Sequence, residues 1–463
     1  MKKILYLLIP VLSILLLFSY CKKEEITDDD YEISIPAETL ATNKWIHNNL
    51  VFWYLWNDNL TKGIDSTKEA DPEAYFYKLL YNEKDRWSYI TDDYQTLSSE
   101  LDGEPLSMGY YPAFYLTEDY KVIIGVCYVY PGSPADEAGL ERGDIIISID
   151  NSPLDTINYY SEYSRTNYSV QLGTIVNRTP VYTGESLDMT ARVISADPAV
   201  FHKVIDIDGY KIGYLAYVEF IKGKDEVFLS HLDEIFDEFE SENVSDLIID
   251  LRYNPGGEII TAIHLASNIA PLEVTTSQNL IISYVYNTGL RDMLGQNDLY
   301  DYFVETGANI DMERVYFLTT RRSASASELT MIGLDPYMDV VQIGENTYGK
   351  YVGSIPIPDR NNEWAMMPII TKYSNAEGFT DFEDGLIPDH EIKDNVLNAV
   401  PFGDPSDPMT AKAIELATGI PVPAKRVTAE ISEDMFRQIS PPEMERKNIL
   451  LVNKDILKSV PAR

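Results

Sequence analysis

Three serines alternate with alanines in RRSASASELT, residues 321–330: Ser323, Ser325 and Ser327. A serine hydroxyl attacks a carbonyl only when a nearby base takes its proton, so the search for chemistry turns to bases. His202, His231 and His264 are scattered, and the best placed is His264, two turns into the segment after Gly257. Lys350, in GENTYGKYVGS, is the stronger candidate, because a desolvated lysine loses proton affinity and can serve as a general base. The third element is the turn Asn254, Pro255, Gly256, Gly257. Backbone N–H groups at such a strand-to-helix corner can stabilise negative charge, and glycines let a ligand approach closely. Ser325 and Glu328 also have the Ser-x-x-Glu spacing of a helix cap, so the string alone leaves the serines open between chemistry and capping.

These residues need elements to position them. LIIDLRYNPGGEIITAIHLASNIA reads as strand, turn and helix, and VYFLTTRRSASASELTMIGL as strand, short loop and helix. KIGYLAYVEF and VVQIG are further strands, and FLSHLDEIFDEF places Leu229, Leu232, Ile235, Phe236 and Phe239 on one helical face. Alternation of strands and helices predicts an α/β domain with a largely parallel core. GENTYGK has the glycine and lysine spacing of a phosphate-binding loop, but Tyr351 stands where the magnesium-holding hydroxyl belongs and no helix pattern follows, so that reading is rejected.

Upstream, PGSPADEAGLERGDIIISID places a capping residue, Ser133, before Pro134, ends the short helix at Gly139 and turns at Gly143 and Asp144 into an alternating strand. From Leu40 on, Trp45, Leu50, Trp53 and Trp56 fall near helical spacing, which predicts a small helical domain with an aromatic core and a structural or surface His47.

The N-terminus MKKILYLLIPVLSILLLFSYCKKEE has two lysines, an apolar run from Ile4 to Tyr20 and then Cys21, the layout of an export signal. The run is short for a spanning helix and is broken by Pro10. Cys21 is the expected lipidation site and KKEEITDDDYE an acidic tether. With Cys21 lipidated, Cys127 has no disulfide partner and reads as a buried thiol in VIIGVCYVY. With 37 Lys and Arg against 74 Asp and Glu, the net charge of −37 argues against nucleic-acid binding. No metal-ligand cluster or cofactor motif stands out in the string, which also leaves the oligomeric state open.

The PGSPADEAGLERGDII block, DLRYNPGG, SASASE and TYGK, in that order, resemble the C-terminal processing (tail-specific) serine protease family with its PDZ domain. The resemblance covers roughly residues 104 to 420. It implies a multidomain α/β protein: helical N-terminal domain, PDZ domain, and a protease core of the ClpP/crotonase-like type. The expected division is a lipoprotein-type signal peptide over 1–21, a tether over 22–39, the helical domain over 40–103, the PDZ domain over 104–198, the protease over 199–420 and an extension over 421–463. That extension carries eight Lys or Arg against six acids and is expected to hug the surface.

In that family the nucleophile is the middle serine and the base lysine lies 25 residues on, which selects Ser325 and Lys350 as catalytic residues. The resemblance also implies an oxyanion hole from Gly256 or Gly257 with Ala326. Where many members carry a glutamine that orients the lysine, this chain has Ser354, so Glu328 and Ser354 are the candidate supports. SMGY, Ser107, Met108, Gly109 and Tyr110, matches the loop that takes a peptide's C-terminal carboxylate, with recognition by strand addition. The expected function is an exported, lipid-anchored serine endopeptidase of the bacterial cell envelope that recognises polypeptides by their C-termini and needs no cofactor. The alternative is a non-catalytic peptide- or ligand-binding relative of the same fold, or a scaffold that uses only its PDZ block.

Overall fold

Apolar runs bounded by turn residues build the central sheet. The computed structural model describes residues 35–425, 436–441, 450–452 and 456; the leader and Cys21 lie outside them. Six strands stand in the order Ala199–Ile207, Tyr210–Tyr217, Asp246–Asp250, Arg314–Thr319, Asp339–Gly344 and His390–Glu391. The first pair is antiparallel and every later pairing is parallel. Parallel strands need crossovers, which helices Val227–Ser241, Ile259–Ile269 and Ala326–Leu334 supply. Leu229, Leu232, Ile235, Phe236 and Phe239, the predicted face, are all buried. Both sequence-predicted corners, strand to NPGG to helix and strand to serine loop to helix, lie at the carboxyl ends of adjacent strands, Asp246–Asp250 and Arg314–Thr319.

The PDZ block forms a seven-stranded sheet whose strand Tyr110–Leu116 pairs with Lys121–Val129 on one side. Helix Pro134–Ala138 begins on Ser133, whose side chain accepts from Asp136 N–H, and ends on Gly139 at φ 88°, as its letters predict. Helices Ala37–Trp53, Pro72–Leu79 and Tyr94–Leu101 make up the N-terminal block, with Leu50 and Trp53 buried and His47 exposed. Its strand Tyr89–Thr91 pairs with Ala365–Met367, so this block is stitched to the protease sheets.

The described part of the extension is largely exposed over residues 421–425 as expected, but further on it is built into two sheets. Arg437–Ile439 adds a strand to the PDZ sheet, Leu450–Leu451 adds one to a second six-stranded sheet, and Phe436, Leu451, Val452 and Ile456 are buried. A surface segment was predicted from its prolines and charge, but strand addition needs only free edges and two or three residues, which no periodicity announces.

Candidate active site

Ser325 caps helix Ala326–Leu334 at φ 63° and ψ −109°, a conformation that costs a non-glycine residue about 1–3 kcal/mol. An ordinary cap has extended backbone and turns its side chain onto the helix N–H groups. Ser325 does not: its Oγ is buried and makes no hydrogen bond. Its neighbours hold the corner instead. Ser323 Oγ donates to Leu251 O (2.7 Å), Ser327 Oγ donates to Asn254 O (3.1 Å), and Ala324 N–H donates to the same carbonyl (3.0 Å). Of the three serines, two are thus tied to the NPGG side and the middle one is spared.

Glu328 is fully buried and accepts four bonds. Oε1 takes Thr347 Oγ1 and Gly349 N–H, both at 2.6 Å. Oε2 takes Ser325 N–H at 2.6 Å and Lys350 N–H at 2.9 Å. One carboxylate oxygen therefore joins the backbones of the candidate nucleophile and the candidate base. Tyr373 adds a second tie, its hydroxyl lying 3.2 Å from Ser325 O and 2.8 Å from Lys350 O. Burial raises the Glu328 pKa while its four donors pull it back; with only donors around both oxygens, the ionised carboxylate fits.

Lys350 is 1% exposed, and burial pushes its pKa down to about 7 against the pull of Asp85 and Glu328. Asp85 comes from the helical N-terminal block, where it accepts from Tyr54 Oη (2.8 Å) and from the N–H groups of Trp87 and Ser88 (both 2.9 Å). Next to it, Arg86 grips Gly349 O (3.2 Å) and Glu383 O (2.9 Å) and lies over Tyr348. Sequence reading missed both residues, since nothing in NEKDRWSY marks them as neighbours of Lys350.

The glycine turn is fixed by Asn254, whose Nδ2 donates to Tyr217 O and whose Oδ1 accepts Gly256 N–H, both at 2.9 Å. Gly256 N–H is thereby engaged, which favours Gly257 as the anion-facing donor. Gly257 sits at φ 138°, and a side chain there would collide with the Phe220 carbonyl. Ala326, the first residue of its helix, has one of the N–H groups that no intrahelical carbonyl can take.

The three histidines have carboxylate partners of their own. His264 bonds Asp233 (2.6 Å), His231 bonds Asp197 (2.7 Å) and His202 faces Glu238. Ser354 is buried in strand Val352–Ser354, four residues beyond Lys350. In the PDZ block, Gly109 N–H donates to Ser107 Oγ (2.9 Å), Gly109 O accepts Tyr130 N–H (2.8 Å), Met108 is buried and Tyr110 Oη meets Tyr168 Oη (2.9 Å). Cys127 is a buried free thiol. Arg322, one of the two arginines before the serines, reaches it at 3.0 Å and stacks on Tyr111, docking the serine loop on the PDZ sheet. Arg142 returns the contact, donating to Tyr253 Oη at 2.7 Å and Val400 O at 3.0 Å. Arg252 is buried beneath the turn among Asp250 (2.6 Å), Asp407 (2.9 Å) and Asp394 (3.1 Å). No cluster of three or more metal-ligating side chains occurs among the described residues.

Three family descriptions match: the peptidase S41 N-terminal domain over residues 41–89, a PDZ domain over 125–169 and peptidase family S41 over 211–392. The chain belongs to peptidase family S41. It is similar to the carboxyl-terminal-processing protease of Picosynechococcus, 23% identical over 88% of this chain and 94% of the relative. The protease of the same name from Synechocystis is 24% identical over 70% of each chain. A crystal structure of a Bacteroides fragilis protein described as an S41 protease superposes with a TM-score of 0.70 at 26% identity, covering 81% of this chain and 97% of that one. Within this S41 peptidase, Glu328 ties the serine corner to the backbone of Lys350, and the carbonyl of Asn254 ties it to the glycine turn.

Proposed function

We propose that this S41 peptidase is a serine endopeptidase of the cell envelope in which Ser325 is the nucleophile and Lys350 its base. The observation that carries the proposal is the shared Oε2 of Glu328, which ties a serine of unused hydroxyl to a lysine whose pKa is pushed down to about 7. Neutral Lys350 takes the Oγ proton as Ser325 attacks a peptide carbonyl, and the N–H groups of Gly257 and Ala326 stabilise the oxyanion. Collapse breaks the C–N bond, Lys350 returns the proton to the leaving amine, and water, deprotonated by the same lysine, clears the acyl-enzyme. The PDZ sheet delivers the polypeptide by strand addition, with its C-terminus directed to Ser107, Met108, Gly109 and Tyr110.

The test is covalent. A fluorophosphonate probe should add to Ser325 and to neither Ser323 nor Ser327, read by peptide mass spectrometry. The hydroxyl without a hydrogen bond also fits a non-catalytic relative, and that reading wins if the probe leaves Ser325 unmodified while C-terminal peptides bind unchanged.

Lipid anchoring through Cys21 belongs to the same proposal. Cys21→Ala should abolish incorporation of labelled palmitate and move the protein from the membrane to the soluble fraction; unchanged labelling would remove the anchor.

A further inference from the structure

Two strand edges in this chain are arranged to take an extended peptide, and both are filled from within. Arg437–Ile439 pairs antiparallel with the PDZ strand, setting Arg437 opposite Leu116, Gln438 opposite Tyr115 and Ile439 opposite Phe114. Its direction carries the chain toward the Gly109 end of that strand, the end where a bound C-terminus would finish. Further on, Leu450–Leu451 runs parallel to Gly257–Glu258 on one side and to Val352–Ser354 on the other. Leu450 stands opposite Gly257, Leu451 stands opposite both Glu258 and Ser354, and Val452 N–H donates to Ser354 O at 3.0 Å.

These two walls carry the glycine turn and the continuation of Lys350, and they do not pair with each other. The gap between them is one strand wide, about 10 Å from wall to wall at ordinary strand spacing. The occupant is well seated. Leu451 packs with Leu97, Ala365 and Met367, while Val452 and Ile456 belong to the same apolar cluster as Ala326, Tyr351 and Val352. In this arrangement Ser325 is 0% exposed and Lys350 1%. The extension is also slightly basic, eight Lys or Arg to six acids, against a strongly acidic body.

We infer that the strands Arg437–Ile439 and Leu450–Leu451 act as a built-in peptide ligand occupying both strand-addition sites, the PDZ edge and the slot beside Gly257 and Ser354, and that substrates enter only where these strands leave. This rests on the proposed protease reading for its consequence, though not for the seats themselves. Successive residues of a strand face opposite ways, and Leu451 and Val452 are both buried. The slot therefore selects an unfolded polypeptide with two consecutive large aliphatic residues. A tethered strand competes at an effective concentration near the millimolar range, so a free peptide must bind tightly or arrive docked on the PDZ edge.

Two measurements test the inference. The first compares casein hydrolysis by the full chain, by a chain ending at Arg426 and by the full-length double variant Leu451→Asp, Val452→Asp. Truncation and double substitution are each expected to raise the rate about tenfold or more, given the loss of an intramolecular competitor. With measurable hydrolysis by the full chain and folding verified by circular dichroism, rates equal to or below the full chain's would overturn the inference. The second uses binding alone, in Ser325→Ala backgrounds: a fluorescein-labelled peptide of residues 436–456 should bind the chain ending at Arg426 and not the full-length chain. Equal binding to both, or to neither, overturns it. Selective binding together with no casein hydrolysis by any form leaves the segment's seat assigned and removes the protease reading instead.

Discussion

Lys350→Met should lower the turnover of an unfolded protein substrate by about a thousandfold, the scale of losing a positioned general base. Methionine keeps the unbranched stem and removes an amine that is costly to bury, so the variant should be no less stable to urea than the parent. A catalytic defect without a folding defect is the signature sought. The parent's pH profile sharpens the assignment. Lysine must be neutral to act as base, and burial has brought its pKa from 10.5 down to about 7. kcat/KM should therefore rise about tenfold per pH unit on the acid side and level off above about 7. The carboxylate of Asp85 favours the charged lysine, so Asp85→Asn should let the pKa fall further and move this limb to lower pH. A parent limb near 10.5, or a limb that ignores both substitutions, would show that another group takes the proton.

The site was legible where the chain meets itself locally. Ser133, Pro134 and Gly139 announce their helix because capping acts over a few residues, and the serine and glycine corners follow from apolar runs broken by turn residues. The choice of Ser325 with Lys350 rests on the family resemblance, and in the structure the two residues follow consecutive parallel strands, Arg314–Thr319 and Asp339–Gly344. Other features depend on contacts that sequence spacing does not encode. Asp85 reaches Lys350 from the other end of the chain, and Arg252, at the end of an apolar strand, finds Asp394 and Asp407 far downstream. The φ of Ser325 is imposed by the surrounding bonds, since a serine by itself prefers the extended cap that its letters predict. The tail strands span three and two residues, too few for any period to show.

Glu328→Gln is expected to be as damaging as its isosteric shape is misleading. Four donors converge on the carboxylate: Thr347 Oγ1 and Gly349 N–H on Oε1, Ser325 N–H and Lys350 N–H on Oε2. A glutamine offers one oxygen and one NH2, and wherever the NH2 lies in this fully buried site it opposes at least one backbone N–H. On the Oε2 side it would orphan both Ser325 and Lys350. On the Oε1 side Thr347 could turn its hydroxyl to accept, but Gly349 could not. One or two unsatisfied buried donors, plus the loss of charge assistance, should cost about 2–4 kcal/mol of stability to denaturant. A structural clamp alone would stop there. Because Glu328 also favours protonated Lys350, its neutralisation should in addition shift the acid limb of kcat/KM to lower pH, and the loosened corner should lower kcat more than it raises KM. Parent-like stability together with a parent-like pH limb would mean that this carboxylate neither holds Ser325 to Lys350 nor acts on the lysine's charge.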